Sequence, residues 1–300
     1  MLRTRLIILS IVAAASIPSA FAEVESESRP VTVSAEEDET EHDQFTEMGE
    51  YAQPAWAERS RLSSSTRVYV LSPQEMFAGS IWETSFRRHG KTTQELTQEI
   101  DYGLLHRFEL GLENDVGLGG SDANETAVKV EARYAFANWN AVPFNPAVSV
   151  EYSFGVGRSV RLPQKTDHNT FRHEPNRLTA TALLGQNFGD HVGYGMNIFA
   201  DLAGGSDRTV GLTQSVAYAF GKGALELGAE FKFAHAWRHN EDELAIGPDL
   251  SWKLTRQLRM AVAPLIGCTH DSPRLAVSLL VSYEFGGAEA IVSPATQQAH

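Results

Sequence analysis

The chain is 300 residues long, with 25 Lys+Arg against 38 Asp+Glu and a formal net charge of −13. That acidic balance excludes a protein built to bind nucleic-acid phosphates. Hydrophobic residues make up 42%, too many for a wholly disordered chain, and the single cysteine, Cys268, excludes an intrachain disulfide framework and a cysteine-based zinc site.

The first segment reads as an address. Arg3 and Arg5 form a basic start, Leu6 to Ile17 a short apolar run, and Ala20-x-Ala22 a small-residue cleavage pattern. A membrane-spanning helix needs about 20 apolar residues, so residues 1–22 are expected to be a cleaved signal peptide. No later apolar run is long enough to span as a helix, and the mildly negative mean hydropathy excludes a polytopic helical membrane protein. It leaves a β-barrel open, because barrel strands hide their apolar residues among polar ones.

Residues 23–65 follow as an acidic tail. Glu23 to Glu50 holds eleven carboxylates and one basic residue, Arg29, for a net charge of −10, and its apolar residues show no period. Such a stretch cannot bury enough surface to offset its ordering entropy, so it is expected to be disordered and periplasmic. It lacks the ligand spacing of an EF-hand loop.

From there on the chain is written with period 2. In Ala127–Trp139, Val128, Val130, Ala132, Tyr134 and Phe136 fall on one face, and Lys129, Glu131, Arg133 and Ala135 on the other; strict alternation of this kind is a strand. Twelve such segments are predicted: Met76–Arg88, Thr93–Tyr102, Phe108–Val116, Ala127–Trp139, Pro146–Val156, Leu178–Phe188, Val192–Leu202, Val210–Phe220, Ala224–Trp237, Leu244–Leu254, Leu258–Cys268 and Leu275–Phe285. They are about twice as long as the usual soluble strand of roughly 5–6 residues, and they match the ~10 residues that a tilted strand needs to cross a bilayer.

The connections alternate in length. Short ones follow Tyr102, Phe188, Phe220 and Leu254, whereas Arg158–Asn176, on the other side, runs nineteen residues. Short turns on one rim and long loops on the other mark an outer-membrane barrel. With an even strand number, both termini lie on the short-turn, periplasmic side. At that rim the apolar faces end in Tyr102, Phe108, Phe136, Phe188, Tyr194, Phe220, Trp252 and Phe285, an aromatic girdle at headgroup level. The expected fold is therefore all-β, a single antiparallel up-and-down transmembrane barrel of about 12 strands over residues 66–286, with a flexible tail at 287–300.

Thr66-Arg67-Val68-Tyr69-Val70-Leu71 and the Gly103–Leu112 turn and strand resemble outer-membrane β-barrel proteins of Gram-negative bacteria, most closely the barrels described as phenol-degradation meta-pathway transporters. The resemblance spans residues 66–286. The run Leu279–Phe285 is similar to the terminal-strand signal read by the barrel-assembly machinery, although fifteen residues follow Phe285 here. It implies outer-membrane lipid and that machinery as partners, and small solutes as cargo.

No catalytic or cofactor constellation emerges. There is no Gly-x-Ser-x-Gly elbow, the Gly-x-Gly pairs lack a third glycine and a following helix, and His235 and His239, at i and i+4, stand about 13 Å apart on a strand. No enzyme, metal or cofactor is expected. Loop histidines His89, His168, His173, His239 and His270 read mainly as polar loop composition, and basic loop residues such as Arg87, Arg88, Lys91, Arg158 and Arg161 offer contacts to lipopolysaccharide.

The functional content lies in the polar faces. Six basic residues (Arg107, Lys129, Arg133, Lys232, Lys253, Arg259) meet thirteen acidic ones, among them Glu95, Glu99, Asp101, Glu109, Glu113 and Asp115. Charges in such number line water or form a polar plug. The pore-lining candidates are Lys129, Glu131, Arg133, Glu151, Asp201, Glu226, Glu230, Lys232, Asp249, Lys253, Arg259 and Glu284, with Lys129, Arg133 and Lys232 expected to pair with carboxylates. The balance predicts a passive, weakly cation-preferring pore for small solutes; the alternative is a structural or surface-interaction barrel without a useful channel. N-terminal sequencing of the mature protein should begin at Glu23, and a start displaced by more than a few residues would refute the signal-peptide reading.

Overall fold

The structure is a computed structural model that describes residues 47–48, 53–54, 68, 70–88, 91–119, 126–155, 176–189, 191–203, 208–221, 223–237, 241–255 and 257–285. The expected signal peptide, most of the acidic tail, the 158–175 loop and the 287–300 tail lie outside the described residues. A two-residue pair, β1 (Glu47–Met48) and β2 (Gln53–Pro54), precedes the main sheet.

Twelve strands form that sheet: β3 (Met76–Phe86), β4 (Thr93–Leu105), β5 (Phe108–Gly119), β6 (Thr126–Ala135), β7 (Ala147–Gly155), β8 (Arg177–Phe188), β9 (Val192–Ala203), β10 (Thr209–Phe220), β11 (Leu225–Ala236), β12 (Glu241–Lys253), β13 (Leu258–Gly267) and β14 (Leu275–Phe285). Each pairs antiparallel with its sequence neighbours, and β14 closes on β3 from Leu275↔Phe86 to Phe285↔Met76, giving a closed barrel. Every predicted segment is a strand. Several boundaries shift by one to three residues, and the largest shift is at β6, which stops at Ala135, so that Trp139 belongs to the following turn, where Asn140, Phe144 and Asn145 adopt positive φ.

The pleat sorts the faces as period 2 requires. Ile100, Leu112, Val130, Val150, Ile198, Val216, Leu227, Ile246 and Ile266 project outward and are exposed, although all are apolar. Glu99, Asp101, Glu109, Glu113, Glu131, Glu226, Glu230 and Asp249 project inward and are buried. A water-soluble sandwich would invert this arrangement. An apolar outer band around a polar interior is what a bilayer stabilises. Six of the eight girdle residues, Tyr102, Phe136, Phe188, Phe220, Trp252 and Phe285, are exposed at the rim that carries both ends of the barrel, and Phe108 and Tyr194 are half-buried.

One seam is weaker than the rest. Between β12 and β13 the ladder runs Ile246↔Ile266, breaks, and resumes at Leu250↔Val262 in unchanged register. That register sets Pro248 opposite Pro264, and proline has no N–H to donate. By contrast, β10 and β11 pair without a break from Thr209↔Ala236 to Phe220↔Leu225. Amide exchange should therefore be faster for residues 247–249 and 263–265 than for mid-strand β10 and β11, as read by hydrogen–deuterium exchange in detergent. Equal protection at both seams would show that the proline pair does not loosen the wall.

Candidate functional site: the barrel lumen

The lumen is built at three levels. At the terminal rim, the chain just before β3 folds inward. Gln74 N–H donates to Gly103 O at 2.8 Å, Gly103 N–H returns to Glu75 O at 2.9 Å, and Ser72 N–H donates to the Glu75 carboxylate at 3.0 Å. Val70 and Leu71 are thereby placed inside the barrel, both almost fully buried, in one apolar cluster with Phe77, Ala135, Trp139, Ala147 and Leu183. The fit depends on glycine. A Cβ on Gly103 would stand 1.8 Å from Ser72 O, and one on Gly185 would stand 2.4 Å from Val68. The β6–β7 loop supports the same end, with Asn145 Nδ2–H donating to Gly185 O at 2.8 Å and Gly185 N–H to Phe144 O at 2.9 Å.

The middle level is a network of buried charge. Arg133, 1% exposed, meets Glu131 at 2.6 Å and Glu109 at 3.1 Å. Glu109 also accepts the Leu71 N–H at 2.7 Å, so the inward segment hangs on the same carboxylate that neutralises Arg133. Beside them Glu99, Asp101 and Glu131 bring carboxylate oxygens within 4.8 Å of one another, and Arg133 attracts all three. Lys129 bridges Glu113 and Asp115, each at 2.6 Å, while Thr97 Oγ1–H donates to Asp115 at 2.6 Å. On the opposite wall Arg259 meets Glu226 at 2.9 Å and Ser251 Oγ at 3.1 Å. Asp201 takes a hydroxyl hydrogen bond from Thr179 at 2.9 Å and the Thr209 N–H at 3.0 Å.

The twelve pore-lining candidates all fall on the inner face, but they do not behave alike. Glu131, Arg133, Asp201, Glu226, Glu230, Asp249 and Arg259 are buried; Lys129, Glu151, Lys232, Lys253 and Glu284 are half-buried. The register opposes like charges on neighbouring strands at Glu99↔Glu113, Glu131↔Glu151 and Lys253↔Arg259. Two expectations need correction. Lys232 makes no ion pair among the described residues, whereas Arg259 pairs with Glu226 and Arg177 with Asp201. Arg107 is not a lumen residue: it sits at φ 58° in the β4–β5 turn and donates to Phe136 O at 2.9 Å. The inward segment and Trp139 were not foreseen as parts of the lumen.

At the far rim the 268–274 loop clasps the start of β12. Ser272 Oγ accepts the Leu244 N–H at 2.8 Å and donates to Leu244 O at 2.9 Å. The Asp271 carboxyl is held below the usual carboxylate range, chiefly by its hydrogen bond to His270 and then by the Asp242 amide. Of the loop histidines, His270 is the one among the described residues. The barrel-wall His235 meets Asp242 at 2.7 Å.

Removing one partner from a buried pair leaves an uncompensated charge and costs about 3–5 kcal/mol. Arg133→Met should therefore lower the urea midpoint of barrel unfolding markedly, whereas Lys129→Met, at a wetter site, should cost less. Equal midpoints for wild type and Arg133→Met would show that the central network does not hold the barrel.

Comparison with solved structures shows the fold. An outer-membrane channel from Pseudomonas putida F1 superposes with a TM-score of 0.51 at 9% identity, covering 75% of this chain and 100% of that one. The KdgM porin gives 0.49 at 15% identity over 70% of this chain and 99% of that one, and the NanC porin 0.49 at 10% over 70% and 99%. No protein-family model matches the chain, and no curated protein matches it by sequence. The chain has the closed antiparallel barrel fold of an outer-membrane channel.

Proposed function

We propose that the protein is an outer-membrane barrel that passes small solutes through a charged lumen with a weak preference for cations, and that the inward segment at 70–75 closes this path at the periplasmic end. The observation that carries the reading is the inverted pleat: apolar residues such as Ile100 and Leu112 face out, and acidic ones such as Glu99 and Glu113 face in. That distribution stabilises a barrel in lipid and equips its interior to solvate ions. The fold shared with an outer-membrane channel supports it.

The cation preference rests on an excess of lumen carboxylates over lumen cations. Arg133, Lys129 and Arg259 are already engaged by Glu109 and Glu131, Glu113 and Asp115, and Glu226, respectively. The inner face carries further acids besides those in these pairs, Glu230 and Asp249 among them, and a narrow path between low-dielectric walls focuses the field of the net negative lining on whatever enters.

The second reading, a structural barrel without a useful channel, draws on the dryness of the middle level, where Arg133, Glu109 and Glu230 are each 1% exposed. Conductance across a planar bilayer separates the two. The full-length barrel should conduct rarely or in small steps, and deletion of residues 68–72 should raise its conductance several-fold. Glu230→Lys with Asp249→Lys should move the reversal potential toward anions, more at low salt because the Debye length grows from about 10 Å at 0.1 M to about 30 Å at 0.01 M. A barrel that stays silent after the deletion would favour the structural reading, and an unchanged reversal potential would remove these two residues from the conducting path.

A further inference from the structure

The outer wall carries a polar row where its apolar rule should be strictest. On β3, β4 and β5 the register aligns Ser80↔Gln98 and Gln98↔Asn114. The pleat turns all three outward. Their chain neighbours Ile81, Thr97, Glu99 and Glu113 are buried on the inner face, and Ile100 and Leu112, two residues along, are exposed on the outer one. Three polar side chains thus stand side by side on the surface that faces lipid.

The row lies deep in the bilayer. Gln98 is four residues from the girdle residue Tyr102 on β4. At a rise of ~3.4 Å per residue and a tilt of ~40°, it stands about 10 Å from the girdle, near the middle of an apolar band ~25 Å tall. Apolar rows flank it on both sides: Ala78, Ile100 and Leu112 toward the terminal rim, and Trp82, Leu96 and Val116 away from it. Around the barrel the row ends at Val281 on β14 and Val128 on β6. It is therefore a bounded patch rather than the fading of the apolar band at the headgroups.

Hydrocarbon gives these groups nothing to bond. Each amide carries an NH₂ donor and a C=O acceptor, and acyl chains supply neither. The Gln98 and Asn114 side chains make no hydrogen bond among the described residues. Turned toward each other, the two amides would use a single donor and a single acceptor and leave the rest unmet. Elsewhere on the outer face such a group is accommodated within the wall: Gln214 on β10, in register with Met196, donates Nε2–H to the Met196 sulfur at 3.3 Å. The row on β3 to β5 has no such neighbour, because the side chains beside it are valines.

We infer that this row is the contact surface for a second copy of the chain, packed in the same membrane about a twofold axis along the bilayer normal. Two copies inserted in the same direction hold the row at the same depth, so it meets its own image without any change of height. An amide is both donor and acceptor, so Gln98 and Asn114 can bond their counterparts in the second copy. Such self-complementarity is what an isologous contact requires. The small outward side chains Ala78 and Ser80 on β3 let the two walls approach within reach of those bonds, as small residues do between membrane helices. The contact does not depend on whether the lumen conducts.

The test uses the full-length chain in isolated outer membranes of a Gram-negative host, in a Cys268→Ser background, with copper phenanthroline as oxidant. Ser80→Cys should form a disulfide-linked dimer of the chain at least ten-fold faster than Val216→Cys. Val216 is an exposed control on the opposite strand β10, also four residues from its girdle residue, Phe220. Adding Gln98→Leu and Asn114→Leu to Ser80→Cys should remove that excess. The barrel should keep its heat-modifiable gel shift and its urea midpoint, because leucine suits a lipid-facing position; this separates lost association from lost folding. Sedimentation equilibrium of the Cys268→Ser protein in detergent should show a dimer, and the leucine pair should raise its dissociation constant at least ten-fold. Equal cross-linking at Ser80→Cys and Val216→Cys, a leucine pair that still dimerises as the parent does, or a link from Ser80→Cys to a different protein would overturn the proposal. So would a monomer that carries a bound lipid lost in the leucine pair, which assigns the row to that lipid.

Discussion

Closure of the sheet is the constraint on which everything else depends. In hydrocarbon, an unpaired backbone N–H or C=O costs several kcal/mol, so a sheet can stand there only if it has no edge. The pairing of β14 with β3 meets that requirement along the whole length of both strands. Closure then dictates the chemistry of both faces. The outer face must be apolar, and the inner face receives every alternate residue, including the charges that the outer face cannot carry.

Twelve strands enclose a narrow interior, and that narrowness forces the charges to neutralise one another. Arg133 is the clearest case, because it is fully buried and forms ion pairs with Glu109 and Glu131. Glu109 carries a second duty in accepting the Leu71 N–H. Neutralising the central arginine and seating the inward segment are thus coupled through one carboxylate. The apolar cluster below it, from Val70 to Leu183, excludes water from that end, which strengthens each of these interactions by lowering the local dielectric.

The two ends of the lumen differ in kind. The terminal end is a small protein core, with glycines at 103 and 185 where backbone or side chain crosses closely. The opposite end carries charge, with Lys232 making no ion pair among the described residues and Glu83 facing Glu95 in the register. From one rim to the other the lumen thus passes from charged side chains through a neutralised network to an apolar cluster.

Much of this was legible in the sequence, because period 2 is a local property. Each of the twelve strands, the outward aromatic girdle and the inner placement of residues such as Glu131 and Asp249 follows from alternation, length and the even strand number alone. What was not legible depends on residues far apart in the chain. Trp139 continues the alternation of β6 but turns into the barrel mouth, since Asn145 ties its loop to Gly185. Val68, Val70 and Leu71 read as part of a short apolar stretch, and only the concave floor offered by Phe77, Ala147 and Leu183 makes them part of the lumen. Arg259 rather than Lys232 finds an acid because strands β11 and β13 bring Glu226 to it across Ser251. The sequence by itself determined which face each side chain occupies, because the pleat has a fixed period. Only the tertiary structure decided which charges meet across the lumen, because partners there are set by register and closure, to which no local pattern gives access.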